Sequence, residues 1–384
     1  MMTNVKASTC KYVLLLFLVF ALPGCATQVK GMMQPVAPPV KGGQTVDMIV
    51  ATDRKSSDKP AILYTGERDD RIALSNVVIS IPPAANRKRG EVQWPRHRKA
   101  DPDKEFATVS ATPITTAQID DWLSRIPAEN RGHVIIFVHG YNTPFDRGVY
   151  LFAQVFNDAG IRAAPVLFSW PSRGETLAYG YDRESAMASR TDFARVLEEA
   201  VAQNQVIDIT ILAHSMGTDL TMEALRTLAL THGAVPAKIR NVILASPDID
   251  VNVFRKQFED LGSQPPSITL FVSKDDKALK LSRFLGGNVD RLGAADFSRE
   301  PYRSAIDKAG IHVVDLSNVH GDDDSDHLKF SENPDIVSVI GNALIGGQSL
   351  DDNPPSLYES MGILVIGGSR LGVETAKTIT SGQP

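Results

Sequence analysis

Cysteine is almost absent from the sequence, which contains only Cys10 and Cys25 in 384 residues. We expect Cys10 to be removed with an amino-terminal leader, so the mature chain has no internal disulfide. A domain of this size can bury enough apolar surface to be stable without one. An excess of one charge is also lacking, because 40 basic residues stand against 45 acidic ones. The sequence therefore does not indicate a nucleic-acid-binding protein.

A membrane-spanning run is missing from the amino terminus, where the apolar segment Tyr12–Leu22 is too short to cross a bilayer. Its length and preceding lysines are typical of a secretory signal peptide. The following Leu-Pro-Gly-Cys at 22–25 resembles the lipobox of bacterial lipoproteins, which implies cleavage before Cys25 and a diacylglycerol on its thiol. We expect a signal peptide over 1–24 and a lipid anchor at the outer membrane, facing the periplasm. An ordinary signal peptide and a short membrane anchor are the alternatives.

Internal repeats are absent as well, and composition divides the rest of the chain. Residues 25–45 are rich in proline and glycine without periodicity, which predicts a flexible tether. We predict one domain over 46–346, with amino-terminal strands in 46–112 and a catalytic core in 113–346. Residues 347–384 are predicted to form a carboxy-terminal tail.

Apolar runs alternate with helical patterns from residue 113 onward. His133–Val138 has no polar residue after its first, as expected of a strand buried on both faces of a parallel sheet. Strands that alternate with helices predict a doubly wound, mostly parallel sheet with helices on both faces. The predicted strands are Val46–Thr52, Ser75–Ile81, Phe106–Ser110, His133–Val138, Pro165–Trp170, Val206–Ala213, Ile239–Ala245, Ser267–Val272 and Ile311–Leu316. The predicted helices are one capped by Thr115 or Thr116 and ending at Ile126, then Phe145–Asp158, Arg183–Ala202, Thr218–Leu230, Asn252–Asp260, Lys277–Leu285 and Pro334–Leu344.

A serine stands where ligands bind in such sheets, just beyond the carboxyl end of a strand. The segment Ala-His-Ser-Met-Gly at 213–217 follows a predicted buried strand and precedes a helix. It resembles the nucleophile elbow of the α/β-hydrolase superfamily, with Ala213 in place of the first glycine. The resemblance implies that Ser215 is a nucleophile exposed on a strained turn, and that the N–H of Met216 is an oxyanion donor.

A second motif follows the strand His133–Val138. The segment His-Gly-Tyr-Asn at 139–142 resembles the loop of lipases and esterases that supplies the other oxyanion N–H, here that of Tyr141. We interpret His139 as a structural histidine that braces the loop. In the α/β-hydrolase family the nucleophile, acid and histidine follow in that order, so the base must come after Ser215.

Several acids and histidines follow the later strands. Asp276 is preferred as the acid, because it follows the strand after which the family usually has that residue, and Asp275 is the alternative beside it. Asp248 and Asp250, after the preceding strand, remain candidates, with helix capping as their structural role. His327 is preferred as the base and His320 is second, while His312 is predicted to pack inside a strand.

A narrower resemblance is to a largely uncharacterised branch of bacterial, lipoprotein-like esterase and lipase relatives. It rests on Ala51–Arg54, Val78–Pro82 and Ser169–Gly174. No large cap domain is expected, since the segment between Ser246 and Ser267 is short. A glycine-rich segment at 362–372 looks like a dinucleotide loop, but we expect a terminal strand and helix or a flexible tail there.

The resemblance implies a serine hydrolase that cleaves carboxylic esters through an acyl-enzyme. The triad would be Ser215, Asp276 and His327, and no metal or organic cofactor is needed. The expected partners are a small-molecule ester or lipid substrate and the membrane that holds the anchor. An acyltransferase with the same triad and a non-catalytic envelope lipoprotein with a binding scaffold are the alternatives.

Overall fold

The computed structural model describes residues 29, 31–36, 41–319, 326–344 and 363–366. Ten strands within them form one sheet in the order β10-β9-β8-β7-β6-β4-β5-β1-β2-β3. The strands are β1 (Gln44–Ser56), β2 (Tyr64–Ile81), β3 (Ala107–Ile114), β4 (His133–Val138), β5 (Ala164–Ser169), β6 (Asp208–His214), β7 (Ile239–Ala245), β8 (Ser267–Val272), β9 (His312–Asp315) and β10 (Leu364–Ile366).

Ten α-helices belong to the same described ranges. They are α1 (Ile119–Arg125), α2 (Phe145–Asp158), α3 (Tyr179–Ala188), α4 (Arg190–Ala202), α5 (Met216–His232), α6 (Val251–Glu259), α7 (Lys277–Leu285), α8 (Tyr302–Ala309), α9 (Lys329–Glu332) and α10 (Pro334–Leu344). No helix among these is both long and apolar enough to span a lipid bilayer.

The sheet is mostly parallel, as predicted. Strands β1 and β4–β9 run in one direction, whereas β2, β3 and β10 pair antiparallel with their neighbours. The chain passes from β4 to β5 on one side and then returns to β6 on the other. Ligand sites of open α/β sheets lie at such a reversal of strand order, beyond the carboxyl ends of the strands.

Both faces of the sheet are covered. In β4, Ile136 and Val138 pack against one layer of helices, while Ile135 and Phe137 pack against the other. The first layer contains α1, α3–α6 and α8, and the second contains α2, α9 and α10. This two-sided burial explains the unbroken apolar runs of the central strands. Residues 246–266 contain only the helix α6, so the prediction that a large cap is missing there is confirmed.

The predicted helix Arg183–Ala202 was wrong in one respect, because the structure divides it into α3 and α4 at Ser189. The hydroxyl of Ser189 donates to the buried carboxylate of Asp53 at 2.5 Å and lies 2.9 Å from the carbonyl of Ser185. Such a side chain competes with the helical backbone for hydrogen bonds. The strand predicted at Ser75–Ile81 begins earlier, at Tyr64, since its charged first half pairs with the end of β1.

Some elements carry too little apolar pattern to be predicted. Helix α8 has eight residues and buries only Ile306, so the sequence offers a single core position there. Within the segment predicted to be a tether, Met32 and Met33 are buried, and the N–H of Met33 donates to the carbonyl of Ala61. In the segment predicted to be a tail, Leu364–Ile366 forms β10 at the sheet edge.

Candidate active site

The two glycine-containing motifs meet at the carboxyl end of the central strands. A Cβ atom added to Gly217 would lie 2.3 Å from the carbonyl oxygen of His139, and one added to Gly140 would lie 2.8 Å from Cβ of Ser215. Such distances are shorter than van der Waals contact, so each position requires glycine. Any side chain at either position would separate the first turn of α5 from the loop after β4. The motifs read separately from the sequence thus form one site.

Ser215 occupies a strained backbone conformation between β6 and α5. Its φ of 52° and ψ of −125° are disfavoured for any residue with a Cβ atom. The strain costs of order 1–3 kcal/mol, which the surrounding structure must offset. The N–H of Ser215 donates to the carbonyl of Ala245 on β7, and its own carbonyl accepts from Thr218. Positive φ also occurs at Asn142, Ser246 and Asp326, all in loops of this site.

Asp276 and His327 are brought together from positions 51 residues apart. Oδ2 of Asp276 lies 2.7 Å from Nδ1 of His327, and the carboxylate is completely buried. Oδ1 of Asp276 accepts from the N–H of Leu279 and thereby caps α7. Because an ionised carboxylate can only accept, Nδ1 of His327 carries the proton. Nε2 is then left with a lone pair that can accept a proton from a nucleophile.

The ring of His327 is close to the residue that precedes Ser215. The imidazoles of His327 and His214 are 4.8 Å apart between centroids, and His214 also stacks on Phe330. The hydroxyl of Ser246 donates to the carbonyl of His327 at 3.1 Å. Burial, reinforced by the charge of a protonated His327, holds the pKa of His214 well below its usual range. His214 is therefore a neutral packing surface for the neighbouring ring.

The other candidate acids have different partners. Both oxygens of Asp275 lie 2.9 Å from the ammonium of Lys329. Asp248 forms a buried ion pair with Arg291 at 3.3 Å. Asp250 caps α6 by accepting from two backbone N–H groups, which is the structural role considered from its sequence. Only Asp276 among these four contacts a histidine within the described residues.

Lys329 was not anticipated from the sequence. Its side chain is buried, and besides Asp275 its ammonium donates to the hydroxyl of Ser273 at 3.1 Å and the carbonyl of Leu316 at 3.3 Å. It also forms an ion pair with Asp326 at 3.5 Å. Hydrogen bonds from Ser273 and Lys329 outweigh burial and lower the pKa of Asp275. Lys329 therefore joins the loop after β8 to the segment that carries His327.

His139 is placed as a brace, in agreement with its interpretation. It is fully buried, with Nδ1 lying 2.9 Å from the carbonyl of Gly140 and Nε2 lying 3.2 Å from Nη2 of Arg54. A guanidinium can only donate, so Nε2 is the acceptor and Nδ1 the donor. Burial and the charge of Arg54 lower the pKa of His139 to about 3. Both ring nitrogens are engaged, so this residue is not available as a base.

Arg54 and Asp182 hold the loop after β4 from behind. Buried Arg54 donates to the carbonyls of Thr143 and Ser172, each at 2.8 Å. Asp182, on α3 and fully buried, accepts from the N–H of Asn142 at 3.0 Å and from the hydroxyl of Ser172 at 2.6 Å. The sequence segments 51–54 and 169–174, which indicated kinship only, thus form one buried polar network with the loop after β4.

The two predicted oxyanion donors lie on either side of the contact between Gly140 and Ser215. Met216 is the first residue of α5, so its N–H has no acceptor inside the helix. In the described part of the chain, neither this N–H nor that of Tyr141 donates a hydrogen bond. The phenol of Tyr141 donates to the carbonyl of Thr176, and its ring packs edge-on against Tyr179.

A charged cavity opens beside Met216. It has a volume of about 200 Å³ and is lined by Tyr179, Arg183, Met187, Met216, Asp219, Glu223, Asp248, Asp250, Val253 and Arg291. Burial raises the pKa of Asp219 to about 6, although its Oδ1 accepts from Gln257 at 2.7 Å. In the described residues, no three histidine, cysteine or acidic side chains converge as metal ligands.

Some predicted residues lie outside the described ranges. These are Cys25, with the signal peptide, and His320. His312 is buried in β9 as predicted. Arg54, Asp182 and Lys329 were missed, because a charged residue in a polar segment predicts a solvent-exposed surface. The only indication in the sequence was that the segments 51–54 and 169–174, which take part in this polar network, resemble those of the lipoprotein-like relatives.

Comparison with known proteins identifies relatives of this chain. A family model described as "Alpha/beta hydrolase of unknown function (DUF900)" matches residues 115–346. An uncharacterized protein of Nostoc sp., alr1448, is 29% identical over 121 residues, which cover 25% of this chain and 32% of the relative. The aligned segment thus spans about a third of that curated protein.

Solved esterase structures resemble the chain at low sequence identity. A Pyrobaculum calidifontis esterase aligns with a TM-score of 0.34 and 10% identity, covering 82% of this chain and 87% of its own. Esterases of Rhizomucor miehei align with a TM-score of 0.34 and 14% identity, covering 80% and 84%. A putative cell surface hydrolase of Lactobacillus plantarum aligns with a TM-score of 0.37 and 9% identity, covering 60% and 96%.

Proposed function

Because the chain belongs to the α/β-hydrolase family DUF900, we propose that it cleaves carboxylic esters with Ser215 as nucleophile. His327 is the general base in this proposal and Asp276 orients it. The N–H groups of Tyr141 and Met216 stabilise the oxyanion. The family itself has no assigned function, so the substrate must be inferred from the chain's own residues.

The observation that carries the proposal is the 2.7 Å hydrogen bond between His327 and Asp276, with the imidazole of His327 packed against His214, the residue before the strained Ser215. A buried carboxylate that fixes the tautomer of a histidine is the arrangement required of a general base. The strain at Ser215 supports the same role, since disfavoured backbone conformations concentrate at catalytic turns. A structural serine would gain nothing from this conformation.

Acylation begins when Oγ of Ser215 attacks the ester carbonyl carbon while its proton passes to Nε2 of His327. The carbonyl oxygen becomes an oxyanion, which the N–H groups of Tyr141 and Met216 stabilise. The intermediate then breaks its bond to the alcohol oxygen, and His327 returns the proton to that oxygen. The alcohol leaves and the acyl group remains on Ser215.

Deacylation repeats these steps with water as the nucleophile. His327 takes a proton from the water, which attacks the acyl carbon. Collapse of the second tetrahedral intermediate releases the carboxylic acid, and Oγ of Ser215 recovers its proton. An alcohol that takes the place of water makes the same site an acyltransferase.

Replacement of Ser215 by alanine tests the proposal. We expect Ser215→Ala to lose both fluorophosphonate labelling and hydrolysis of an activated ester, with thermal stability unchanged or slightly raised. The matched control is Ser80→Ala, because Ser80 is also buried but lies on β2, four strands away from β6 in the sheet. This control must still label with fluorophosphonate.

The same assay separates the alternatives. Labelling and turnover that persist in Ser215→Ala contradict the proposed nucleophile. A native chain that folds but does not label is a binding scaffold instead. Product analysis with an added alcohol gives the ratio of ester transfer to hydrolysis, and a ratio dominated by transfer identifies an acyltransferase.

A further inference from the structure

Exposed apolar side chains are concentrated on one short segment of the described surface. Leu281, Phe284 and Leu285 on α7 have exposed fractions of 59%, 70% and 54%. Val289 follows them and is also exposed. Single exposed hydrophobic residues are normal on soluble proteins, but a contiguous group indicates a contact surface. We call Leu281, Phe284, Leu285 and Val289 the α7 patch.

The α7 patch lies beside the proposed active site. Helix α7 begins immediately after Asp276, which caps it, so its first turn is fixed by the proposed catalytic acid. Ser282 of α7 lies 3.0 Å from the phenol oxygen of Tyr179. Two residues before that tyrosine is Leu177, whose exposed fraction is 96%. The patch and Leu177 therefore flank the same side of the site.

All charged residues of α7 are basic. The helix contains Lys277, Lys280 and Arg283 and no acidic residue, and all three basic side chains are exposed. Arg283 forms an exposed ion pair with Asp290 at 3.4 Å, which is worth little in water.

A helix with basic residues beside exposed leucine and phenylalanine has the chemistry of an interfacial membrane contact. Apolar side chains enter the boundary between headgroups and acyl chains, while lysine and arginine attract anionic lipids. We propose that the α7 patch, with Leu177, binds an anionic lipid surface and presents the neighbouring site to it. This contact is separate from any anchor at Cys25 and extends the proposed function to esters held in membranes.

A second segment rich in basic residues, the loop 86–99, has partners within the fold. Arg87, in the loop 86–99, is largely buried and forms an ion pair with Asp158 at 2.5 Å. Arg89 donates to the carbonyl of Asp158 at 2.7 Å. These two arginines attach the loop to α2 rather than present it to a membrane.

A polarity-sensitive fluorophore tests the surface directly. Replacing Cys10 and Cys25 by serine in the full chain leaves Phe284→Cys as the single labelling site. We expect the label to shift to shorter wavelength with vesicles that mix phosphatidylcholine and phosphatidylglycerol, and to shift much less with phosphatidylcholine alone. The matched control is a label at Leu230→Cys, which is also exposed but lies near the opposite end of α5. This label stays in water even if another part of the chain binds the vesicle.

Charge is tested with one more pair of variants. Lys280→Gln should weaken partitioning to anionic vesicles about fivefold, whereas Lys308→Gln, on α8, should not. No shift of the Phe284→Cys label with either vesicle, or equal shifts with both, overturns the proposal. A shift that grows with protein concentration without vesicles also overturns it, in favour of contact with a second copy. Because binding needs no turnover, these outcomes are independent of the Ser215→Ala assay.

Discussion

Single carboxylates at the site differ in function because their partners differ. Asp276 accepts from an imidazole, Asp275 and Asp248 pair with permanent cations, and Asp250 caps a helix. A carboxylate paired with a cation stabilises the fold but does not orient the histidine that would activate the proposed nucleophile. The four residues are therefore separable by mutation, although all follow neighbouring strands.

Asp276→Asn should lower the turnover of an activated ester by about 10³–10⁴-fold while the chain still folds. The amide cannot hold Nδ1–H of His327 as a carboxylate does, so the base loses its tautomer and its orientation. Asp248→Asn is the contrasting variant, because it leaves buried Arg291 without its carboxylate. It should lower the melting temperature, yet retain turnover per folded molecule. The opposite pattern would assign the acid to Asp248.

Asp53 provides a test of stability against pH. Burial is the main cause that raises the pKa of this carboxyl from 3.8 to about 6. The unfolded chain releases the proton near pH 4 and the native chain near pH 6. Between these values the native state binds more protons, so its free energy of unfolding falls as pH rises. Asp53→Asn should therefore be more stable than the wild type above pH 6, by of order 1–3 kcal/mol, and equal to it near pH 4. Thermal melts across this range measure the difference, and a constant difference would contradict the raised pKa.

At the scale of elements, the loop after β4 depends on residues that other segments supply. Asp182 of α3 accepts from the N–H of Asn142 and of Arg173, and Arg54 of β1 donates to the carbonyl of Thr143. None of these groups reaches the reacting atoms. They hold the backbone on either side of the proposed oxyanion donor Tyr141.

Asp182→Asn should lower kcat by roughly 10–100-fold and leave KM almost unchanged, because an oxyanion donor acts mainly in the transition state. The amide nitrogen cannot accept, so at least one of the present hydrogen bonds to Asp182 is lost. Affinity for a boronate, which forms a tetrahedral adduct with serine, should fall in parallel with kcat. Asp192→Asn, which removes a partly exposed ion pair with Arg195 on α4, is the control and should change neither. A variant whose KM rises while boronate affinity is kept would contradict the positioning role.

Elements with strong local patterns were predicted to the residue. Strands β4, β7 and β8 and helices α2, α7 and α10 have the predicted limits, because each apolar run ends at turn or capping residues. The break at Ser189 and the helix α8 were not predictable in this way. The first depends on Asp53 from a distant strand, and the second buries one side chain.

In the candidate site, too, residues in local motifs were predicted, whereas residues that depend on distant partners were not. Two motifs that follow strands and resemble those of the α/β-hydrolase family gave Ser215, Tyr141 and Met216 as candidates. The chain order of that family limited the candidate acid and base to a few residues. Asp276 and His327 are 51 positions apart in the chain, so no local pattern predicts their contact. Arg54, Asp182 and Lys329 are buried together with polar partners, most of them in other segments. The sequence shows these three only as ordinary charged residues.

At the scale of the whole molecule, the amino-terminal segment places the domain close to any anchor. Met32 and Met33 pack into the layer that contains α2, so the described residues 31–36 are attached to the domain. A fully extended chain from Cys25 to Gly31 spans about 20 Å at most. A lipid on Cys25 would then hold the domain near the bilayer, rather than at the end of a long tether.

We propose on the lipobox resemblance that the chain is lipidated at Cys25, and mass spectrometry of the amino-terminal peptide tests it. The mature chain should begin at Cys25 and carry a diacylglycerol, whose two chains suffice for stable attachment. If the signal peptide is replaced by one cleaved independently of a lipobox, Cys25→Ala should release the domain from the sedimented membranes. Some of it should remain at low salt through the α7 patch and leave at high salt, since exposed charges are screened. A mature chain without lipid, or one retained equally at high salt after Cys25→Ala, would show that another element holds it to the envelope.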